Sequence, residues 1–174
     1  MKTILKAAII VCLFCNSSLA AGSHSTGHSH EMEIGQPGNK HTSRSVTVKM
    51  SETENGMIFK PDQLSFKAGQ TIKIKLINKG EFEHEFVMDT MAAIVKHKVM
   101  MEDSPDMNHS DPNSLRLGPN EKGEILWTFS NAGTFEFACL IPGHYEAGMH
   151  AEIYIKQPVK TSVLSDILTN ARQF

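Results

Sequence analysis

Cysteine is scarce in this sequence, and so are tryptophan and charge of one dominant sign. Three cysteines in 174 residues are too few for a disulfide scaffold. Lysine and arginine number 17 against 19 acidic side chains, a balance that excludes a nucleic-acid binder working through a basic surface. No apolar run of about 20 residues follows the N-terminus, so no membrane span is expected in the mature chain. The remaining composition, 40% hydrophobic and 21% charged, is that of a globular protein rather than a disordered one.

The N-terminus has the layout of an export signal. Lys2 and Lys6 form a basic start, Ala7 to Phe14 a short apolar core, and Ser18-Leu19-Ala20 a small-residue cleavage site. We therefore expect residues 1–20 to be removed and the protein to reside in the periplasm. Cys12 and Cys15 follow Val11 and Phe14, where lipid attachment wants a small residue. Cleavage leaves Cys139 as the only thiol. In an oxidising compartment a lone cysteine is buried and inert, paired between chains, or bound to something.

Residues 21–43 are rich in Gly, Ser and His and read as a flexible arm ahead of a domain spanning 44–156. Within that domain Val46 and Val48, Ile72, Ile74 and Leu76, Ile125, Trp127 and Phe129, Phe135 and Phe137, and Met149, Ala151, Ile153 and Ile155 show strand alternation. The pattern predicts an all-β sandwich of seven or eight strands, with Asn131-Ala132-Gly133 reading as a hairpin turn. An insertion near 90–114 interrupts it, with Thr90 as the cap of a short helix running to about Lys98. Residues 157–174 form an extension in which Val163, Leu164, Ile167, Leu168 and Ala171 have helical spacing.

One segment concentrates chemistry. In Cys139-Leu-Ile-Pro-Gly-His144-Tyr-Glu-Ala-Gly-Met149, Cys, His and Met recur at five-residue steps across a Pro/Gly loop between two strands. Parity turns Cys139 inward with Phe137, Met149 inward with Ile153, and His84 inward with Phe86 and Met88. Two imidazoles, one thiolate and a weak thioether make a trigonal copper site suited to electron transfer. Structural zinc would prefer more Cys or His and has no use for Met. A Cys–His nucleophile would be pinned inward without an orienting partner.

These residues resemble the cupredoxin family, the plastocyanin- and azurin-like type 1 copper proteins. The resemblance runs from about Arg44 to Lys156 and includes Phe59-Lys-Pro-Asp-Gln-Leu and Ala68-Gly69-Gln70. It implies a Greek-key β-sandwich in which His84, Cys139 and His144 are equatorial ligands and Met149 the axial one. The Cys-x4-His-x4-Met spacing is similar to that of rusticyanin and auracyanin. His-Glu-Phe, the Met- and His-bearing insertion and the full ligand loop resemble periplasmic cupredoxins of bacterial copper tolerance. Glu85 is a departure, since many members carry Asn or Ser after the first histidine, and it implies a different outer shell for the metal.

The expectation is thus a monomeric, non-enzymatic copper protein acting in copper tolerance, with one-electron transfer capacity and a periplasmic redox protein such as a cytochrome as candidate partner. A dinuclear copper centre needs two cysteines. The sole His-x-His, His28-Ser29-His30, is in the arm, so no multicopper oxidase or nitrite-reductase site is expected. Secondary copper candidates are His24, His28, His30, Met32 and His41 in the arm, and Met100, Met101, Met107 and His109 in the insertion. Cleavage after Ala21 would also create an N-terminal Gly22-Ser23-His24 site for Cu(II).

Overall fold

Strand alternation in this sequence comes in runs of five to ten residues, and each run forms a strand. The computed structural model describes residues 32–39, 44–103 and 111–158. In chain order the strands are β1 (Gly35–Pro37), β2 (Arg44–Thr53), β3 (Gly56–Lys60), β4 (Gln63–Lys67), β5 (Thr71–Asn78) and β6 (His84–Asp89). Helix α1 (Met91–Asp103) follows, then β7 (Ser114–Leu117), β8 (Lys122–Phe129), β9 (Gly133–Ala138) and β10 (His150–Lys156). They build two five-stranded sheets, ordered β1-β8-β5-β2-β3 and β4-β10-β9-β6-β7. Both sheets are mixed: β2 runs parallel to β5 and β4 parallel to β10, and the other pairs are antiparallel.

The core lies between the sheets, as expected for a sandwich. Val48, Met50, Ile72, Ile74, Leu76, Trp127 and Phe129 of the first sheet are fully buried against Phe86, Met88, Phe137 and Ile153 of the second. Phe59, Phe86 and Phe137 pack ring on ring, with centroids 5.0 to 5.9 Å apart, just beneath the end of the sandwich where the candidate ligands gather.

Several details differ from the sequence expectation. The described residues form ten strands rather than seven or eight, because the short edge strands β1 and β7 carry too few residues for a clear alternation. Asn131-Ala132-Gly133 is not a hairpin turn: β8 and β9 belong to different sheets, so the chain crosses the sandwich there. A turn signature marks a change of direction but not which sheet receives the next strand. Part of the presumed arm belongs to the domain. Gly35–Pro37 pairs with β8 and Ile34 is fully buried. At Gly35 (φ +141°) a Cβ would lie 2.0 Å from the Thr128 carbonyl oxygen, so only glycine fits this close approach.

The insertion helix forms where Thr90 predicts it, with Thr90 Oγ1 accepting the Ala93 N–H at 3.2 Å. It continues past Lys98 to Asp103. Ile94 and Met101 pack on Val87, Ala138 and Leu140, so α1 covers the outer face of β6 and β9. That explains why both strands are buried on both faces and read as nearly continuous buried runs. Ile94→Ala should therefore cost about 2–5 kcal/mol of stability, measured by denaturant unfolding, because a fully buried side chain leaves a cavity between helix and sheet. The predicted C-terminal helix and the signal peptide lie outside the described residues.

Candidate metal centre

Three elements deliver the donors to one end of the sandwich. His84 opens β6, Cys139 follows β9, and the two strands are neighbours, with Val87 opposite Ala138. His144 sits at the middle of the loop that joins β9 to β10. This loop is held by its own backbone: His144 N–H donates to Ile141 O (3.0 Å), Ala147 N–H to Gly143 O (3.1 Å) and Gly148 N–H to Tyr145 O (3.0 Å). Gly143 (φ +86°) and Gly148 (φ +94°) supply the left-handed turns that such a short return requires.

The donors converge. Nδ1 of His84 is 3.3 Å from Nδ1 of His144, which is in turn 3.3 Å from Cys139 Sγ. One ligand atom from each of the three residues lies within 4.8 Å of the others, the group of this kind found among the described residues. His84 and Cys139 are fully buried, whereas His144 is partly exposed. Met149 is fully buried beside them. Its N–H donates to His144 O at 3.0 Å and its carbonyl accepts the Cys139 N–H at 2.9 Å, so the ends and the middle of the loop are locked together.

The surroundings set the protonation of these groups. Burial pushes the Cys139 thiol up to about 12, against the opposing pull of the Glu85 and Ile141 amides. Burial also lowers His144, with His84 adding to the effect. At neutral pH the metal-free centre therefore holds a protonated thiol and a neutral His144. A buried thiol beside two converging imidazole nitrogens suits a thiophilic, nitrogen-binding ion, and this donor set fits copper.

The next layer is also built. Glu85 donates its backbone N–H to Cys139 Sγ at 3.2 Å. The residue after the first histidine thus touches the sulfur through its amide, and the side chain that marks the departure at this position is itself buried. Tyr145, next to His144, donates its hydroxyl to buried Glu136 at 2.8 Å and stacks on His150 at 4.2 Å. Lys98 of α1 pairs with Glu146, tying the insertion helix to the ligand loop. His84 Nε2 meets Glu52 Oε1 at 2.8 Å. Burial raises the Glu52 carboxyl, but the amides of Phe82, Glu52 and Glu81 and the imidazole of His84 outweigh it and leave it lowered. Glu52 was not legible as a site residue: it lies in a strand whose polar positions read as solvent-facing, 32 residues from His84.

Of the secondary candidates, Met32, Met100 and Met101 fall among the described residues. Met101 is 1% exposed and packs from α1 with Ile94 against Val87, Ala138 and Leu140, and Met32 is partly buried against the core. Met100 is exposed on the same helix. His24, His28, His30, His41, Met107 and His109 lie outside the described residues.

A two-sheet sandwich with a His-Cys-His cluster at one end, two of its donors fully buried, defines a copper-binding cupredoxin. Residues 46–156 match the family described as copper binding proteins, plastocyanin/azurin family, and the chain belongs to it. It is 38% identical over 156 residues to the copper-resistant cuproprotein CopI of Rubrivivax gelatinosus, covering 84% of this chain and 93% of that protein. It is 31% identical to the protein of the same name from Pseudomonas aeruginosa, covering 89% and 98%. A structure of auracyanin B superposes with a TM-score of 0.57 at 21% identity over 68% of this chain and 92% of that one, a likeness of fold. No helix among the described residues is long and apolar enough to cross a membrane.

Proposed function

We propose that His84, Cys139 and His144 hold one copper ion with Met149 as a weak axial ligand, and that the protein serves copper tolerance in the periplasm with one-electron transfer capacity. The observation that carries the reading is the convergence of two Nδ1 atoms and one Sγ, 3.3 Å apart in sequence of contact, at the buried end of a rigid sandwich. Copper would supply a one-electron Cu(II)/Cu(I) couple there, with imidazole and thiolate suiting the first state and sulfur the second. The chain supplies donors held by strand ladders and loop hydrogen bonds, which resist rearrangement between the two states. Copper resistance in the names of two relatives that match most of this chain supports tolerance as the role. Nothing in the proposal requires the chain to turn over a substrate.

A second reading, a dedicated carrier between periplasmic redox partners such as a cytochrome, is favoured by one feature: His144 alone of the three donors reaches the surface and offers an electron exit. The two readings separate experimentally. Copper sensitivity on deletion supports tolerance; fast electron exchange with a cytochrome and no such sensitivity supports the carrier.

Titration of the metal-free protein with Cu(II) should produce an intense visible band that saturates at one equivalent. Further copper bound without that band would report donors in the N-terminal arm or the insertion. Met149→Leu should keep the copper and the band but shift its position and raise the reduction potential, because the axial ligand tunes the couple. An unchanged spectrum and potential would remove Met149 from the ligand set.

A further inference from the structure

Glu52 occupies an unusual place behind the metal centre. It lies on β2 of the first sheet, whereas His84 opens β6 of the second. Its side chain is 23% exposed and meets three N–H groups. Oε1 faces His84 Nε2 at 2.8 Å and accepts from the Phe82 amide at 3.0 Å, and Oε2 accepts from the Glu81 amide at 3.0 Å. The backbone at Gly80 is pressed against the carboxylate: a Cβ there would sit 2.2 Å from Oε2 and 2.4 Å from Oε1. Gly80 and the two amides after it thus form a cradle shaped for this carboxylate.

A neutral imidazole carries a single N–H. With an acceptor fixed at Nε2, that hydrogen is held there and the Nδ1 lone pair points the other way. In His84 the other way is toward His144 Nδ1 and the site of Cys139 Sγ. The opposite tautomer would lose the bond to Glu52 and aim a hydrogen into the centre. A carboxylate one imidazole away from the ion also stabilises the more highly charged oxidation state.

We infer that Glu52 is a positioning residue of the copper centre, fixing His84 with Nδ1 free to ligate and holding a negative charge that favours Cu(II) over Cu(I). The inference rests on the copper reading above and names a determinant of affinity and potential beyond the four donors.

The test uses the full mature chain. Nitrogen-15 NMR of the metal-free protein should show His84 protonated at Nε2. In Glu52→Ala the His84 tautomers should mix, and copper affinity should fall 10- to 100-fold, the usual effect of losing such a partner. Glu52→Gln keeps an acceptor for His84 but no charge. It should retain the tautomer and the copper while raising the potential, a tenfold selective loss of Cu(II) affinity being about 59 mV for a one-electron couple. Gly80→Ala should reproduce the Glu52→Ala loss with Glu52 still present, by evicting its carboxylate. If the variants lose only thermal stability, with tautomer, affinity and potential those of the unmodified protein, Glu52 merely pins the chain and the inference is overturned. If the unmodified protein itself shows no thiolate-to-copper band, the copper reading fails. The imidazole spectrum of the metal-free protein still decides the tautomer claim on its own.

Discussion

Cys139→Ser should abolish the visible absorption of the copper-loaded protein. The band arises from charge transfer between a thiolate and copper, and a serine hydroxyl neither ionises near neutral pH nor offers a soft sulfur. The fold should persist. Cys139 is fully buried at the end of β9, and the Glu85 amide that meets its sulfur at 3.2 Å can donate to a hydroxyl instead. The substitution should therefore cost on the order of 1–3 kcal/mol for one buried polar group, measurable by denaturant unfolding without loss of the sandwich. Full colour in the Cys139→Ser protein would mean that the metal is held elsewhere.

Copper uptake should be strongly coupled to protons. The Cys139 thiol of the metal-free protein is pushed up to about 12, so at pH 7 it is protonated and must lose that proton to ligate. His144 lies below its ordinary range and is already neutral there. Binding at pH 7 to 8 should thus release close to one proton from these two groups. Apparent affinity should rise about tenfold per pH unit until the thiol titrates, since proton and metal compete for the same sulfur. Calorimetry in buffers of different ionisation enthalpy counts the protons directly, and release of none would mean a thiolate formed before the metal arrives. The same shift has a stability consequence of fixed sign. A folded-state value above the ordinary 9.0 gives stability that is complete below pH 9 and is lost as pH rises toward about 12. The metal-free protein should weaken over that window, whereas the copper-loaded one has no thiol to titrate.

Much of this was legible along the chain. Alternation at Ile72, Ile74 and Leu76 or at Ile125, Trp127 and Phe129 reports strands with one face in a core, because side chains of a strand point alternately to its two sides. Parity placed Cys139, Met149 and His84 inward, and all three are fully buried. The same reasoning left β6 and β9 half understood. Val87 and Ala138 lie on what parity calls the outer face, yet both are buried, because α1 lies over them. The burial of Met101 was hidden for the same reason: its partner surface is made by strands far from it in sequence.

Local spacing by itself determined the longer strands, the Cys-His-Met loop and the class of ion it suits, since these depend on backbone periodicity and on donor chemistry within a few residues. Tertiary structure decided which sheet each strand joined, that β1 seals an edge, and that a carboxylate on β2 stands behind His84 on β6. Those facts depend on contacts between segments tens of residues apart, and a contact of that kind leaves no period in the sequence to read.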